Sequence, residues 1–488
     1  MSAWAWFGAT LVALGVLFAA SLRAPQGQGR WRVLGRVLGV AGALAAAAAA
    51  NVIVFRHDLH LDLTHEQAFT PAPETLQVLD QLQQDVELTY FYQSQNPAGR
   101  AAKQMVEIMA RHSPRLHVRT VDPDQQPAVA NQMGVRLYNA AVLVSGGRRV
   151  EVVSTEDREI ALGILRLLRR DTRALCFAAG HGEYDIDNFE FHTHFEGSHA
   201  HSHDAGGMAV VQMEQHGTGR LRRALDKLGY AVTKLNLATT REVAADCAAL
   251  VVANPRTPFA PHEVATLARW LEGGGNLLLL VEPDYVLGPE WTAMLARAGI
   301  AVDEGVVNDA RSHYYNDEQM VAVERYAAHP ATLGLALSFF PGARPLRALP
   351  APGVRTTVLF ATSDSATLAA RAGMPAPADA GPRARPLAIA AEGTLTAGGK
   401  PFKLAVVGDA DFASNSFYPY LANADLVLGL SSWLRGEPRG PAMKPPVEVL
   451  PMVVMTNAQM QLIFVLCVLV LPGLCAAVGL GVWWRRRH

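Results

Sequence analysis

The chain has 488 residues, half of them hydrophobic, and a formal net charge of −1. Single cores stop growing near ~250–300 residues, so at least two folded units are expected. The balanced charge lacks the basic excess of a nucleic-acid binder, and no nucleic-acid partner is expected.

Residues 3–22 and 37–55 contain no charged side chain, and each approaches the ~20 residues needed to cross hydrocarbon. The turn between them carries Arg23, Arg30, Arg32 and Arg36. Short arginine-rich loops stay in the cytoplasm, so residues 1–56 read as a transmembrane hairpin with its turn inside and the N-terminus outside. A cleaved signal peptide needs a basic stretch ahead of its apolar core; here the first basic residue is Arg23. A third uncharged run at 462–484 ends in Arg485, Arg486 and Arg487, again a cytoplasmic mark. Three transmembrane helices follow, with about 400 residues on the outer face.

Residues 57–171 read as a first α/β domain. Strands are expected at 86–92, 116–121, 141–144 and 148–153, the last two joined through Gly146-Gly147, with helices over 98–111, 126–133 and 155–170. The resulting βαβαββα order resembles the thioredoxin-like one. No Cys-x-x-Cys is present, so thiol–disulfide chemistry of that kind is not expected.

Residues 172–440 read as a second α/β domain: a doubly wound parallel sheet, flavodoxin/amidotransferase-like. Its strands fall at 174–179, 231–235, 248–253, 276–281 and 402–407, with helices over 219–228, 261–271 and 424–434. A less regular stretch covers 285–400, with an exposed loop near 371–386 rich in Pro, Ala and Gly. Residues 441–461 form a linker, and 462–488 the last span and basic tail. Cys176 and Cys247 sit in separate strands and read as small buried hydrophobes rather than as a bridge.

Ligands of open parallel sheets gather beyond the carboxyl ends of the strands. His181 and Glu183, Asn254, Glu282 and Asp284, and Asp409 and Asp411 each follow such a strand and are the crevice candidates. The same residue types cap helices and satisfy loop backbone, which is the competing use. A second candidate is the insertion at 190–204, where His192, His194, His199, His201 and His203 could bind zinc, copper or nickel; solvated His-rich loops also bind metal loosely. No cofactor is otherwise expected. No Gly-x-Ser-x-Gly or His-Glu-x-x-His occurs, and Gly399-Lys400 has Thr394 and Pro401 where a phosphate-binding loop needs glycine and a hydroxyl. No catalytic set is recognised, and the chain is expected not to be an enzyme.

Several segments carry a family resemblance: Asp62-Leu63-Thr64 through Phe69-Thr70, Pro73-Glu74-Thr75, Leu79, Asp122-Pro123, Thr155-Glu156, Gly180-His181-Gly182-Glu183, Gly408-Asp409-Ala410-Asp411-Phe412-Ala413-Ser414-Asn415, and Asn423-Ala424-Asp425 leading to Trp433-Leu434. Together they resemble the gliding-motility-type (GldG-like) auxiliary proteins of ABC transporters. The resemblance implies a multi-pass inner-membrane protein with a periplasmic α/β region, working beside an ABC ATP-binding subunit and an ABC permease. It supplies no catalytic residues. The expected function is a non-catalytic auxiliary subunit that binds a ligand or partner outside and couples to the permease. Two alternatives stand beside it: a membrane-tethered hydrolase or carbohydrate-processing enzyme using Asp409, Asp411 and Glu183, and a periplasmic metal-binding accessory protein built on the His-rich loop.

Overall fold

The computed structural model describes residues 39, 41–45, 47–49, 52, 69–169, 173–190, 217–314, 316–370, 377, 379–437 and 457–487. The chain divides into two compact units, Met1–Thr70 and Pro71–His488. The first expected span and part of the second lie outside the described residues, as do the His-rich run and part of the loop near 371–386.

The second unit opens with α1 (Pro73–Asp80), β1 (Val86–Phe91), α2 (Pro97–His112), β2 (Leu116–Val121), α3 (Pro127–Gln132), β3 (Ala140–Ser145), β4 (Arg148–Val153) and α4 (Asp157–Leu168). The four strands form one sheet in the order β2-β1-β3-β4, with β1 parallel to β2 and antiparallel to β3. Local chemistry sets the boundaries. Asn96 caps α2 by accepting from the Ala98 N–H at 2.9 Å, ahead of Pro97 at the first helical position. Gly146 and Gly147 have φ of +55° and +77°, which the tight β3–β4 hairpin turn requires and which side chains resist. The expected βαβαββα order is observed.

The next sheet has seven strands. After β5 (Ala174–Ala179) come α5 (Gly219–Lys227), β6 (Val232–Asn236), β7 (Cys247–Ala253), α6 (Pro261–Glu272), β8 (Asn276–Leu280) and α7 (Pro289–Arg297). Short strands β9 (Ile300–Val302), β10 (Val306–Asn308), β11 (His313–Tyr314), β12 (Asp317–Val323), β13 (Ser338–Pro341) and β14 (Leu346–Ala348) follow. Then come β15 (Val354–Ala361), β16 (Thr367–Ala369), β17 (Pro386–Gly393), β18 (Phe402–Val407) and α8 (Asn423–Leu434). The sheet order is β15-β17-β18-β8-β7-β5-β6. Strands β18, β8, β7, β5 and β6 are parallel neighbours, whereas β17 and β15 run antiparallel. This corrects the expectation of an all-parallel sheet: β17 joins β18 through a short connection, which permits only an antiparallel pair. The stretch expected to be irregular also supplies two strands of this sheet and three small antiparallel sheets.

Side chains alternate across the central strands and build two cores. Leu175, Phe177, Ala249, Val251, Leu278, Leu280, Ala405 and Val407 face α5 and α8, in a core that runs on into Ile164 and Leu167 of α4. Cys176, Leu250, Val252, Leu277, Leu279, Leu404 and Val406 face α6 and α7. On that face Cys176 and Cys247 form a disulfide, with Cα atoms 5.8 Å apart. The expectation of two unbridged cysteines fails because β5 and β7 are hydrogen-bonded neighbours, although 71 positions separate the pair in sequence.

Among the described residues, one helix is long and apolar enough to cross a membrane, over Gln459–Ala476. It is part of a continuous helical run from α9 (Asn457–Phe464) to α10 (Leu471–Arg487), with a π-helical turn at Val465–Val470 just before Pro472. Proline cannot donate to the preceding turn, and a local widening of the helix is the usual accommodation.

Closing a loop of 71 positions is expected to restrict the unfolded chain by roughly 4–4.5 kcal/mol. Replacing Cys176 and Cys247 together by Ala should lower the unfolding free energy in urea by that order. Thiol titration of the unreduced, denatured wild type should find both unreactive.

Candidate functional site: the carboxyl ends of the parallel strands

All seven crevice candidates lie in the turns that leave β5, β7, β8 and β18. Three carboxylates, Glu282, Asp409 and Asp411, have no exposed surface. Glu282 Oε1 accepts the backbone N–H groups of Ala410 and Asp411, which ties the end of β8 to the turn after β18. Asp409 Oδ1 accepts from the Phe412 N–H at 2.8 Å, and Asp411 Oδ1 accepts from the Tyr184 hydroxyl. Asp409 Oδ2 and Asp411 Oδ2 are buried without a hydrogen bond.

That crowding sets their protonation. Burial, reinforced by the charges of Asp411 and Asp409, pushes the Glu282 carboxyl well above the usual carboxylate range. Burial and Asp411 do the same to Asp409. Burial lifts Asp411 to about 6, against the opposing effects of the Tyr184 hydrogen bond and the Arg256 charge. Burial and the facing Asp411 push the Tyr184 hydroxyl up as well. The cluster therefore holds protons that exposed carboxylates lose.

His181 makes a separate group. Its Nε2 lies 3.0 Å from Glu263 Oε2, its ring stacks on Phe259 at 3.9 Å, and its backbone N–H donates to Glu183 Oε2 at 2.7 Å. Glu263 also accepts from the Ala260 N–H at 2.6 Å and so caps α6. Asn254 is fully buried with φ +54°, and its side-chain amide has no hydrogen bond. Its backbone N–H donates to Leu280 O at 2.9 Å, linking β7 to β8. Asp284 is the exposed member of the set and pairs with Arg256 at 3.3 Å.

Sequence reading missed the residues that hold this end together. Tyr184 and Arg256 adjoin two of the motifs, and Glu263 is the third residue of its helix, three positions after Ala260 at the N-cap, where a capping carboxylate belongs. Arg344 carries no local signal. Its guanidinium has no exposed surface and donates to the carbonyls of Glu282 at 3.1 Å, Tyr285 at 2.8 Å and Asp303. Gly408 permits this: a Cβ there would lie 2.0 Å from Arg344 O.

The sheet has a small pocket at this end, about 180 Å³, lined by Gly180, Glu183, Tyr184 and Lys234. A larger groove of about 680 Å³ lies at the opposite end, along Asn276, Arg355, Glu392, Lys403 and Arg435. Among the described residues no three His, Cys, Asp or Glu side chains form a group able to hold a metal ion. His192, His194, His199, His201 and His203 lie outside those residues.

The domain around this site, residues 172–440, matches the family model described as an ABC-type uncharacterized transport system. Residues 65–156 match a second model, a domain of unknown function (DUF7088). The first match covers more than half of the chain, and the chain belongs to that family of ABC transport auxiliary components. It is therefore an accessory protein that associates with an ABC transporter.

A search of the curated proteins finds no match. Among solved structures, one titled "mmIFT52 N-terminal domain" is 17% identical and aligns over all of that chain and 57% of this one, with a TM-score of 0.37. A Fasciola hepatica thioredoxin is 20% identical over 81% of its chain and 17% of this one, at 0.16. The Drosophila melanogaster germline thioredoxin Deadhead is 17% identical over 84% of its chain and 18% of this one, also at 0.16. Scores this low do not define a fold.

An acid whose pKa is raised by folding binds its proton more tightly in the native state. Its contribution to stability is full below ~4 and is lost as pH rises through the folded value. For Asp411 that window runs up to about 6. Asp411→Asn should gain stability relative to wild type across this window, by roughly 2–3 kcal/mol at its plateau. Urea midpoints between pH 4 and pH 8 test it; a difference that does not change with pH contradicts the assignment.

Removing a buried, fully bonded guanidinium strands its acceptors. Arg344→Ala should cost about 3–5 kcal/mol in chemical denaturation, whereas Arg355→Ala, at an exposed pair, should cost under about 1 kcal/mol.

Proposed function

We propose that the chain is a non-catalytic, GldG-like auxiliary subunit of an ABC transporter, with its α/β region in the periplasm and its apolar segments in the inner membrane. The observation that carries this reading is the family match over the domain that bears the crevice. Two further features support the placement. A buried disulfide belongs to an oxidising compartment in ordinary bacteria. The apolar helix ends in three arginines, the mark of a cytoplasmic end. Three spans with the N-terminus outside satisfy both conditions.

The crevice end then binds a ligand or partner protein, and the spans couple that binding to a permease driven by a separate ATP-binding subunit. Coupling requires that the bound state favour one permease conformation, because a ligand moves an equilibrium only through differential affinity. The reading as a hydrolase draws less support. Asp409 and Asp411 are wholly covered, and each has one oxygen engaged inside the protein. A general acid or base has to reach its substrate.

Purification of the full chain in mild detergent should recover an ATP-binding subunit and a permease in fixed stoichiometry. Recovery of the chain alone, from membranes in which both subunits are expressed, contradicts the proposal.

A further inference from the structure

At the end of the sheet opposite the crevice, one carboxylate gathers groups from three places in the chain. Glu437 is the last described residue before 457. Its Oε1 pairs with Arg169, which follows α4 of the first α/β domain, and with Arg435 Nε at 2.9 Å. Its Oε2 accepts from the Tyr230 hydroxyl at 2.8 Å, between α5 and β6. Both guanidinium groups also lie over the Tyr230 ring, Arg169 at 3.6 Å and Arg435 at 4.9 Å from its centre.

Both arginines are also pinned by carbonyls. Arg169 Nε donates to Leu228 O at 3.0 Å, and Arg435 Nη1 donates to Arg173 O, immediately before β5. The side chains are 14% exposed for Arg169 and 0% for Arg435. Charge-assisted hydrogen bonds are strong when shielded this way, and groups sharing one partner do not act independently.

We propose that Glu437 is a latch joining two events: the docking of the first α/β domain on the second, and the departure of the chain toward the apolar helix. Residues 438–456 lead from Glu437 to Asn457, where that helix begins. Displacing the chain at Glu437 removes the acceptor shared by Arg169, Tyr230 and Arg435, so it loosens the domain joint as well. Conversely, lifting the first domain withdraws Arg169 and weakens the hold on the exit. The latch stands on this geometry. Its use in reporting the state of the periplasmic region to the membrane rests on the transporter reading.

Limited trypsin digestion of the purified full chain, mapped by mass spectrometry, reads both sides at once, because Arg169 and Arg435 are themselves cleavage sites. In wild type both should be cut slowly. In Glu437→Ala cleavage at both should accelerate at least tenfold, while Lys403, within the central strand β18 between buried Phe402 and Leu404, stays uncut, which marks the opening as local. In Arg169→Ala, cleavage at Arg435 should accelerate several-fold, although the two residues are far apart in sequence. Arg355→Ala is the control and should match wild type. If Glu437→Ala opens Lys403 to cleavage too, Tyr230→Phe serves instead. It removes one hydrogen bond and should accelerate both sites together by about two- to threefold. Continued protection of Arg435 in Arg169→Ala, or acceleration at only one site in Tyr230→Phe, overturns the latch. The assay contains no transporter, so its failure is independent of any failure to recover transporter subunits.

Discussion

The carboxyl end of the large sheet depends on one contact: the Glu282 carboxyl group accepting two successive backbone N–H groups from the turn after β18. It pairs the last residues of two neighbouring strands that are far apart in the chain. Arg344 donates to the Glu282 carbonyl, and Gly408 leaves room for the Arg344 backbone. Asp411 is held in place to meet Tyr184, which connects β5 to the same cluster. Charges of like sign are tolerated this close only because burial keeps protons on some of them.

This arrangement divides the crevice candidates by role. Glu282, Asp409 and Asp411 close the structure from within, and Asn254 aligns β7 with β8. Asp284 and the adjoining Arg256 are the polar groups presented at the surface, with the small pocket beside Glu183 and Tyr184. Binding at this end would therefore be read mainly by the rim, with the buried acids fixing where the rim residues stand.

Much of the fold was legible because strand and helix periodicities are local properties. Strand β18 falls at the expected residues, and α2, α4, α6 and α8 begin and end within two positions of expectation. The carboxyl-end residues were legible for the same reason, since polar side chains directly after apolar runs mark strand ends. What escaped depends on pairing between distant segments. The antiparallel edge formed by β17 and β15 sits in a stretch of weak periodicity, and the disulfide requires knowing that β5 and β7 are neighbours. Arg344 could not be singled out either, because its acceptors are main-chain carbonyls, which every sequence supplies.

The disulfide has a consequence for biogenesis. Of the four cysteines, Cys467 and Cys475 lie within the long apolar helix. If the α/β region is exported as proposed, Cys176 meets the oxidising compartment with no partner until Cys247 arrives, and the two later cysteines stay in the apolar helix. Only one pairing is then available within the exported region. Such a protein needs an oxidant to mature but no isomerase to correct it.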